Sequence, residues 1–281
     1  MSAAEPAEIR SGPSLLNRYL GSPSGLIGAV ILLALVLTAA IGPLLVAPPR
    51  QQQVRIRLQG PSWAHLFGTD EVGRDVLARV VNGSRISIAS AIFAVAVGLV
   101  GGATLGLIAG YIEGRIGITI MAAMDLLLAL PAILLAITIA ARLGPGLTSA
   151  MLAAGLVGLP NYARLARGST LAVKHRDFVD AARASGATRS RIMFRHVLPN
   201  ILTPLIIQAT IGVGNAILLV SALGYLGLGA QPPTPEWGRM LSDAQKYILD
   251  ATWIGIFPGV AIALTVIAFN LAGDGLRDAL L

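Results

Sequence analysis

Long stretches without a charged residue constrain this chain more than any other feature. A helix needs about 20 consecutive apolar residues to cross the hydrocarbon core of a bilayer. Residues 25–46 and 86–112 carry no charge, and residues 116–141 carry only Asp125. Residues 143–163 are uncharged but interrupted by glycines and Pro160, residues 201–223 lie inside a longer uncharged run, and residues 251–273 close the set. The chain is 55% hydrophobic and only 12% charged, whereas soluble domains carry about 25% charged residues. The expected fold is an all-α integral membrane protein with six transmembrane helices.

The first stretch is expected to remain as an anchor: it is longer than a signal-peptide core, and a polar or mixed segment, residues 1–24, precedes it. The sequence has no cysteine, which excludes disulfides, thiolate catalysis and cysteine metal sites. Its three scattered histidines, His65, His175 and His196, form no metal-binding pattern. With the N-terminus inside, residues 164–195 lie in the cytoplasm with eight Lys/Arg, alongside Arg10, Arg18, Arg115 and Arg277. Nine basic residues then fall outside against twelve inside, a modest positive-inside bias. The net charge of +7 is read as orientation rather than nucleic-acid binding.

Residues 47–85 form the first outside loop. Within it Thr69 or Asp70 is a candidate N-cap for a short amphipathic helix carrying Val72, Val76, Leu77 and Val80 on one side. That helix either lies on the membrane surface or touches a substrate. In the loop before the last span, Trp237 and Tyr247 are expected as interfacial anchors. Inside the membrane, Gly98, Gly102, Gly106 and Gly110 stack on one helix face, where a second backbone can approach closely. The seam they form is either mobile or a static contact. An acid at mid-membrane costs ~2.5–3.5 kcal/mol, so Asp125 is expected to face the bundle interior and find a donor there; a proton relay is the other reading. Pro131, Pro204 and Pro258 interrupt three spans, and "GYLGLG" ends the fifth.

The loop 164–199 contains "FVDAARASGATRSRIMFRHVLP". Asp177 is a candidate cap for a short helix with Phe178, Ala181, Ala182 and Ser185 on one small face. Gly186 provides a left-handed stop. A second short helix over residues 190–196 ends before Pro199. Read physically, this bent basic element suits an anionic lipid surface or a protein groove; nucleic acid would also attract it, but no recognition motif accompanies it.

Asp180, Ala181, Ala182, Gly186, Leu198 and Pro199 fall at the spacing of the EAA signature of ABC-importer permeases, with Asp180 in place of Glu and His196 in place of Ile. "RHVLPN", "GTDEVGRDVLARVVNGSRIS", "GLGAQPPTPEWGRMLSDA" and "NLAGDGLRDAL" resemble the dipeptide/oligopeptide/nickel branch of that family. The resemblance implies a MetI-like type I permease core, residues 86–281 with five spans, preceded by one extra N-terminal helix. It implies residence in the bacterial cytoplasmic membrane with both termini cytoplasmic. It also implies partners: a second homologous permease subunit, one or two ATPase subunits that bind ATP and Mg, and an extracytoplasmic substrate-binding protein. Residues 177–185 would be the helix that couples to the ATPase, with Asp180 facing a basic group on it. No Gly-x-x-x-x-Gly-Lys occurs, since neither Lys174 nor Lys246 follows a glycine, so no nucleotide-hydrolysing motif and no cofactor are expected on this chain. An ion-coupled secondary transporter and a non-transporting membrane anchor are the competing classes.

Overall fold

The computed structural model describes residues 14–46 and 48–280; Arg10 and most of the N-terminal segment lie outside them. The described residues are helical, with a single isolated bridge between Thr69 and Asp75. Helix α1, Leu15–Gly21, and helix α2, Pro23–Leu45, are separated by Ser22, whose hydroxyl accepts from Gly25 N at 3.0 Å and caps α2. One stripe of α2 packs on the last helix. The rest stays uncovered, with Val30, Leu33 and Val36 exposed as a lipid-facing surface requires.

Helix α3, Val76–Ile112, is 37 residues long. At 1.5 Å per residue it reaches about 55 Å, well beyond a ~30 Å hydrocarbon core. The expected separate amphipathic helix is therefore absent. Val76, Leu77 and Val80 belong to the first turns of α3, and Val72 to the turn before it. The cap is Asp75, accepting from Ala78 N at 2.8 Å. Asp70 does not cap because its carboxylate is committed elsewhere: Oδ1 accepts from Val72 N and Arg74 N, while Oδ2 accepts from Arg74 and Arg79.

Helix α4, Gly114–Leu128, and helix α5, Ala132–Leu143, occupy the third apolar stretch and meet at 96°. The expected straight span is broken because Pro131 lacks an N–H and disfavours a helical predecessor. Helix α6, Leu147–Val173, runs ten residues past its expected end. Charge had marked the boundary at Arg164, but this guanidinium meets Asp125 and the helix continues. Then come α7, Asp177–Ala184, and the single turn α8, Arg189–Arg191. A π-helical turn, Ile192–Val197, passes directly into α9, Leu198–Tyr225. The second short helix thus does not stop before Pro199. That proline occupies the second position of α9, where a missing N–H is tolerated. Helices α10, Trp237–Ala244, and α11, Trp253–Leu280, complete the chain.

Four helices, α2, α3, the Arg189–Tyr225 run and α11, are long and apolar enough to cross a membrane, and the bent α4–α5 pair makes five. Helix α6 lies between α3, α5 and α9. The core follows from these contacts. One cluster joins Val80, Val95, Tyr162, Ile217, Trp237 and Ile254 across four helices and α10. Another, with Leu107, Ala166, Val179, Ile192 and Leu205, sits at the opposite end.

Candidate functional site

The α7 segment projects from the end of the bundle at which α3 and α6 finish. Its N-cap is Arg176, with Asp177 as the first helical residue. The expected Asp177 cap is not formed, yet Asp177 and Asp180 both fall in the first turn, where they complement the helix dipole. At the other end Gly186 adopts φ +79°. Ala187 N donates to Ala182 O at 3.1 Å and Gly186 N to Arg183 O at 3.0 Å, the paired bonds of a Schellman stop.

The expected small face divides in two. Phe178, Ala181 and Ser185 are exposed, whereas Ala182 is half-buried and joins the cluster below. Val179, which sequence reasoning missed, is the anchor: it is fully buried with Ile192, Val197 and Ile201. Its signal was the one β-branched residue of α7, beside Phe178 and otherwise among small and charged residues. Asp180 is exposed and pairs with Arg183 at 2.7 Å. Leu198 packs in the cluster, His196 is half-buried, and Pro199 is exposed. Lys174 ties this region to the α3–α4 corner, donating to Gly110 O at 3.3 Å and to Glu113. That hydrogen bond lowers the Glu113 pKa. A basic hollow of about 380 Å³, lined by Lys174, His175, Arg183 and Arg189, lies beside it.

The four seam glycines face α6. A β-carbon on Gly98 would lie 2.8 Å from Gly155 O, and one on Gly110 2.9 Å from Arg167 O. At Gly102 and Gly106 it would fall onto the carbonyls of Leu159 and Ala163. Backbone meets backbone over four consecutive turns.

Asp125 does not face the interior. It is exposed on α4 and accepts from Arg164 Nη2 at 2.7 Å. A cavity of about 420 Å³ opens nearby between α3, α5, α6 and α9, mostly apolar, with Asn161, Gln208 and Asn215 among its lining. Among the described residues no three His, Asp or Glu side chains gather as a metal set.

At the opposite end the two motifs flanking the bundle converge. Arg74 and Arg79 clamp the buried Asp70 at 2.6 and 2.5 Å, and Asp243 of α10 receives Arg79 at 3.5 Å and Arg239 at 2.9 Å. Burial and the adjacent Asp70 raise the Glu71 pKa. Trp237 is 1% exposed, its ring N–H donating to Val80 O at 2.9 Å. It is a core residue, not an interfacial anchor, because Gly83 leaves room for the indole on α3. Tyr247 is half-buried against the same cluster. Glu236 is fully buried and caps α10 through Gly238 N and Arg239 N, both at 2.8 Å.

Residues 102–281 match the family model described as the binding-protein-dependent transport system inner membrane component. The chain is 48% identical over 256 residues to the dipeptide transport system permease protein of Alkalihalophilus pseudofirmus, covering 91% of this chain and 84% of that one. It is 47% identical to the di/tripeptide transport system permease protein of Pseudomonas aeruginosa over 279 residues, 95% of this chain and 92% of that one. Its fold is similar to a chain of the inward-facing MetNI methionine ABC transporter, with a TM-score of 0.60, 21% identity, and coverage of 72% of this chain and 96% of that chain.

Proposed function

The chain belongs to the family of binding-protein-dependent transport system inner membrane components, and from that premise we propose that it forms half of a two-permease channel importing dipeptides or similar short peptides. It is the transport subunit of an ABC importer rather than an enzyme. ATP and Mg bind to cytoplasmic partner ATPases, and an extracytoplasmic binding protein delivers the peptide. We infer six crossings of the bacterial inner membrane, with α6 and the bent α4–α5 pair each counted as one; both termini and α7 then share a side, and the basic α7 loop favours the cytoplasm.

The observation that carries the coupling role is the way α7 is held. Val179 and the Schellman stop fix its base, while Phe178, Ala181 and Ser185 remain uncovered at the end of the bundle. A small, rigidly mounted face suits insertion into a protein groove, and the ATPase pushes and pulls there. The π turn continues into α9 without a break, so displacement of α7 reaches the membrane helix that lines the cavity. Bundle states are then biased by differential contacts.

The test is reconstitution of both permeases with the ATPases and the binding protein in liposomes. Peptide uptake is expected to require ATP and to survive collapse of the proton gradient. Uptake that persists without ATP and stops on collapse of the gradient would establish the ion-coupled class instead. Gly186→Val is expected to assemble, because a β-carbon there meets no atom within 4 Å. Its left-handed backbone would be strained by about 1–3 kcal/mol. ATP hydrolysis should continue while uptake per ATP falls several-fold; normal uptake by this variant would remove the proposed docking geometry.

A further inference from the structure

Two oppositely charged side chains, Asp125 and Arg164, stand exposed on helices α4 and α6; Arg164, expected in the cytoplasmic loop, belongs instead to the long helix α6. Asp125 lies in the last turn of α4, Gly114–Leu128, and Arg164 well inside α6, Leu147–Val173. Their side chains touch at 2.7 Å, yet remain 58% and 53% exposed. In hydrocarbon, that exposure would leave guanidinium N–H groups and carboxylate lone pairs without partners. The pair is no core device either, since the buried face of α4 is Gly117, Met121 and Met124. Water, a polar ligand or polar groups of the second permease subunit must therefore meet this surface.

The surroundings say which. On α6, Asn161, Arg164 and Gly168 form an exposed stripe at helical spacing. Asn161 also lines the cavity of about 420 Å³, together with Gln208 and Asn215 of α9. A polar track thus runs from the cavity to the ion pair. Among the described residues, the 2.7 Å contact is the one side-chain hydrogen bond that either group makes. The rest of the guanidinium fork and the second carboxylate oxygen are free to take a ligand.

We infer that Asp125 and Arg164 line the aqueous route beside the second permease subunit and hold the two charged ends of the passing peptide. This rests on the peptide-import reading above and assigns it a site. The peptide carboxylate takes the Arg164 fork, which matches it with two parallel N–H bonds, and the peptide ammonium donates to Asp125. When no peptide is present, the two side chains neutralise each other. Exposed ion pairs contribute little to stability, so a zwitterion can replace the pair at small cost and leave again.

The absence of cysteine from this chain makes the test direct. Asp125→Cys, Arg164→Cys and Asn161→Cys are each introduced into the full complex in liposomes and exposed to a charged, membrane-impermeant methanethiosulfonate. Asn161→Cys leaves the ion pair intact and so reports even where a charge variant fails to assemble. All assembled variants should label, and dipeptide with binding protein and ATP should slow labelling. Asp125→Asn and Arg164→Gln should lower dipeptide uptake about tenfold or more, the expected loss of a charge-assisted hydrogen bond. The double variant Asp125→Arg, Arg164→Asp should recover part of it. Thiols that stay unreactive would mean lipid or dry packing on this face, and reactive thiols that dipeptide does not protect would mean water away from the route. Either result overturns the assignment. Wild-type import is measured first on the same liposomes. Its absence marks failure of the function itself, whereas intact import with unprotected thiols marks failure of this site alone.

Discussion

Glu236 is fully buried, and among the described residues no arginine or lysine side chain pairs with its carboxylate. Its oxygens accept from Gly238 N, Arg239 N and, at 3.5 Å, Ser87 Oγ. Burial raises its pKa above the ordinary glutamate value, against the opposing pull of those hydrogen bonds. A carboxyl whose folded pKa is raised binds its proton more tightly in the folded state. Stability is therefore greatest below the ordinary value and falls as pH rises through the interval up to the raised one. Glu113 has the opposite sign: Lys174 lowers its pKa, so its contribution is lost as pH falls. The difference between wild type and Glu236→Gln isolates Glu236, because Glu113 and Glu71 are common to both. Thermal unfolding of the purified complex should show wild type losing stability relative to Glu236→Gln as pH rises above the ordinary glutamate range. A constant difference over that range would mean that Glu236 does not titrate there. Glu236→Ala should cost about 1–3 kcal/mol, since it strands buried donors.

At the scale of elements, the α3–α6 seam is the contact most exposed to single substitutions. A β-carbon on Gly106 meets the Ala163 carbonyl and lies 2.7 Å from the Ala166 β-carbon, neither of which can yield without moving helix α6. Gly101 faces only the flexible end of Leu159, at 3.1 Å. Gly106→Val should lower stability by about 3 kcal/mol or more, at the upper end for overpacking, and Gly101→Ala should stay near wild type. Equal unfolding temperatures for the two variants would show a seam loose enough to separate. The glycine spacing that defines this contact was legible in the sequence, as were the Gly186 stop and four of the six apolar spans. Other features were not, for physical reasons. The α3 boundary was hidden because both candidate caps are otherwise engaged, Asp70 by Val72, Arg74 and Arg79 and Thr69 by Ile56 and Gln59, so the capping signal pointed to the wrong residue. Trp237 has the composition of an interfacial anchor, and only the groove beside Gly83 turns it into core. Asp125 was expected to point inward because a membrane-buried acid is costly; its exposed partner, Arg164, was hidden because it lies 39 residues away in sequence, across a proline bend that the apolar run conceals.

At the scale of the whole molecule, the bent α4–α5 pair decides how many times the chain crosses. A helix pair bent by 96° is either one broken crossing or a re-entrant loop, and the two differ in where residues 144–146 emerge. Gly146 N donates to Leu228 O at 3.1 Å, which fixes the end of α5 beside the C-terminal end of α9. The beginning of α4 lies at the other end, where Gly110 packs on Thr170 and Lys174 reaches Glu113. The pair therefore joins opposite ends of the bundle, which favours one broken crossing over a re-entrant loop. With Arg164 taken into α6, eleven basic residues remain expected inside against nine outside, a bias that favours the proposed cytoplasmic side for the α7 end. Single cysteines at exposed positions test both points together. In intact cells, an impermeant thiol reagent should label Pro145→Cys and Leu249→Cys but not Arg115→Cys or Ser185→Cys, and inverted vesicles should give the reverse. If all four exchange sides, the orientation is inverted while the crossings stand. If Arg115→Cys and Pro145→Cys label from the same side, α4–α5 is re-entrant, and the helices that carry Asp125 and Arg164 could no longer flank a continuous route through the membrane.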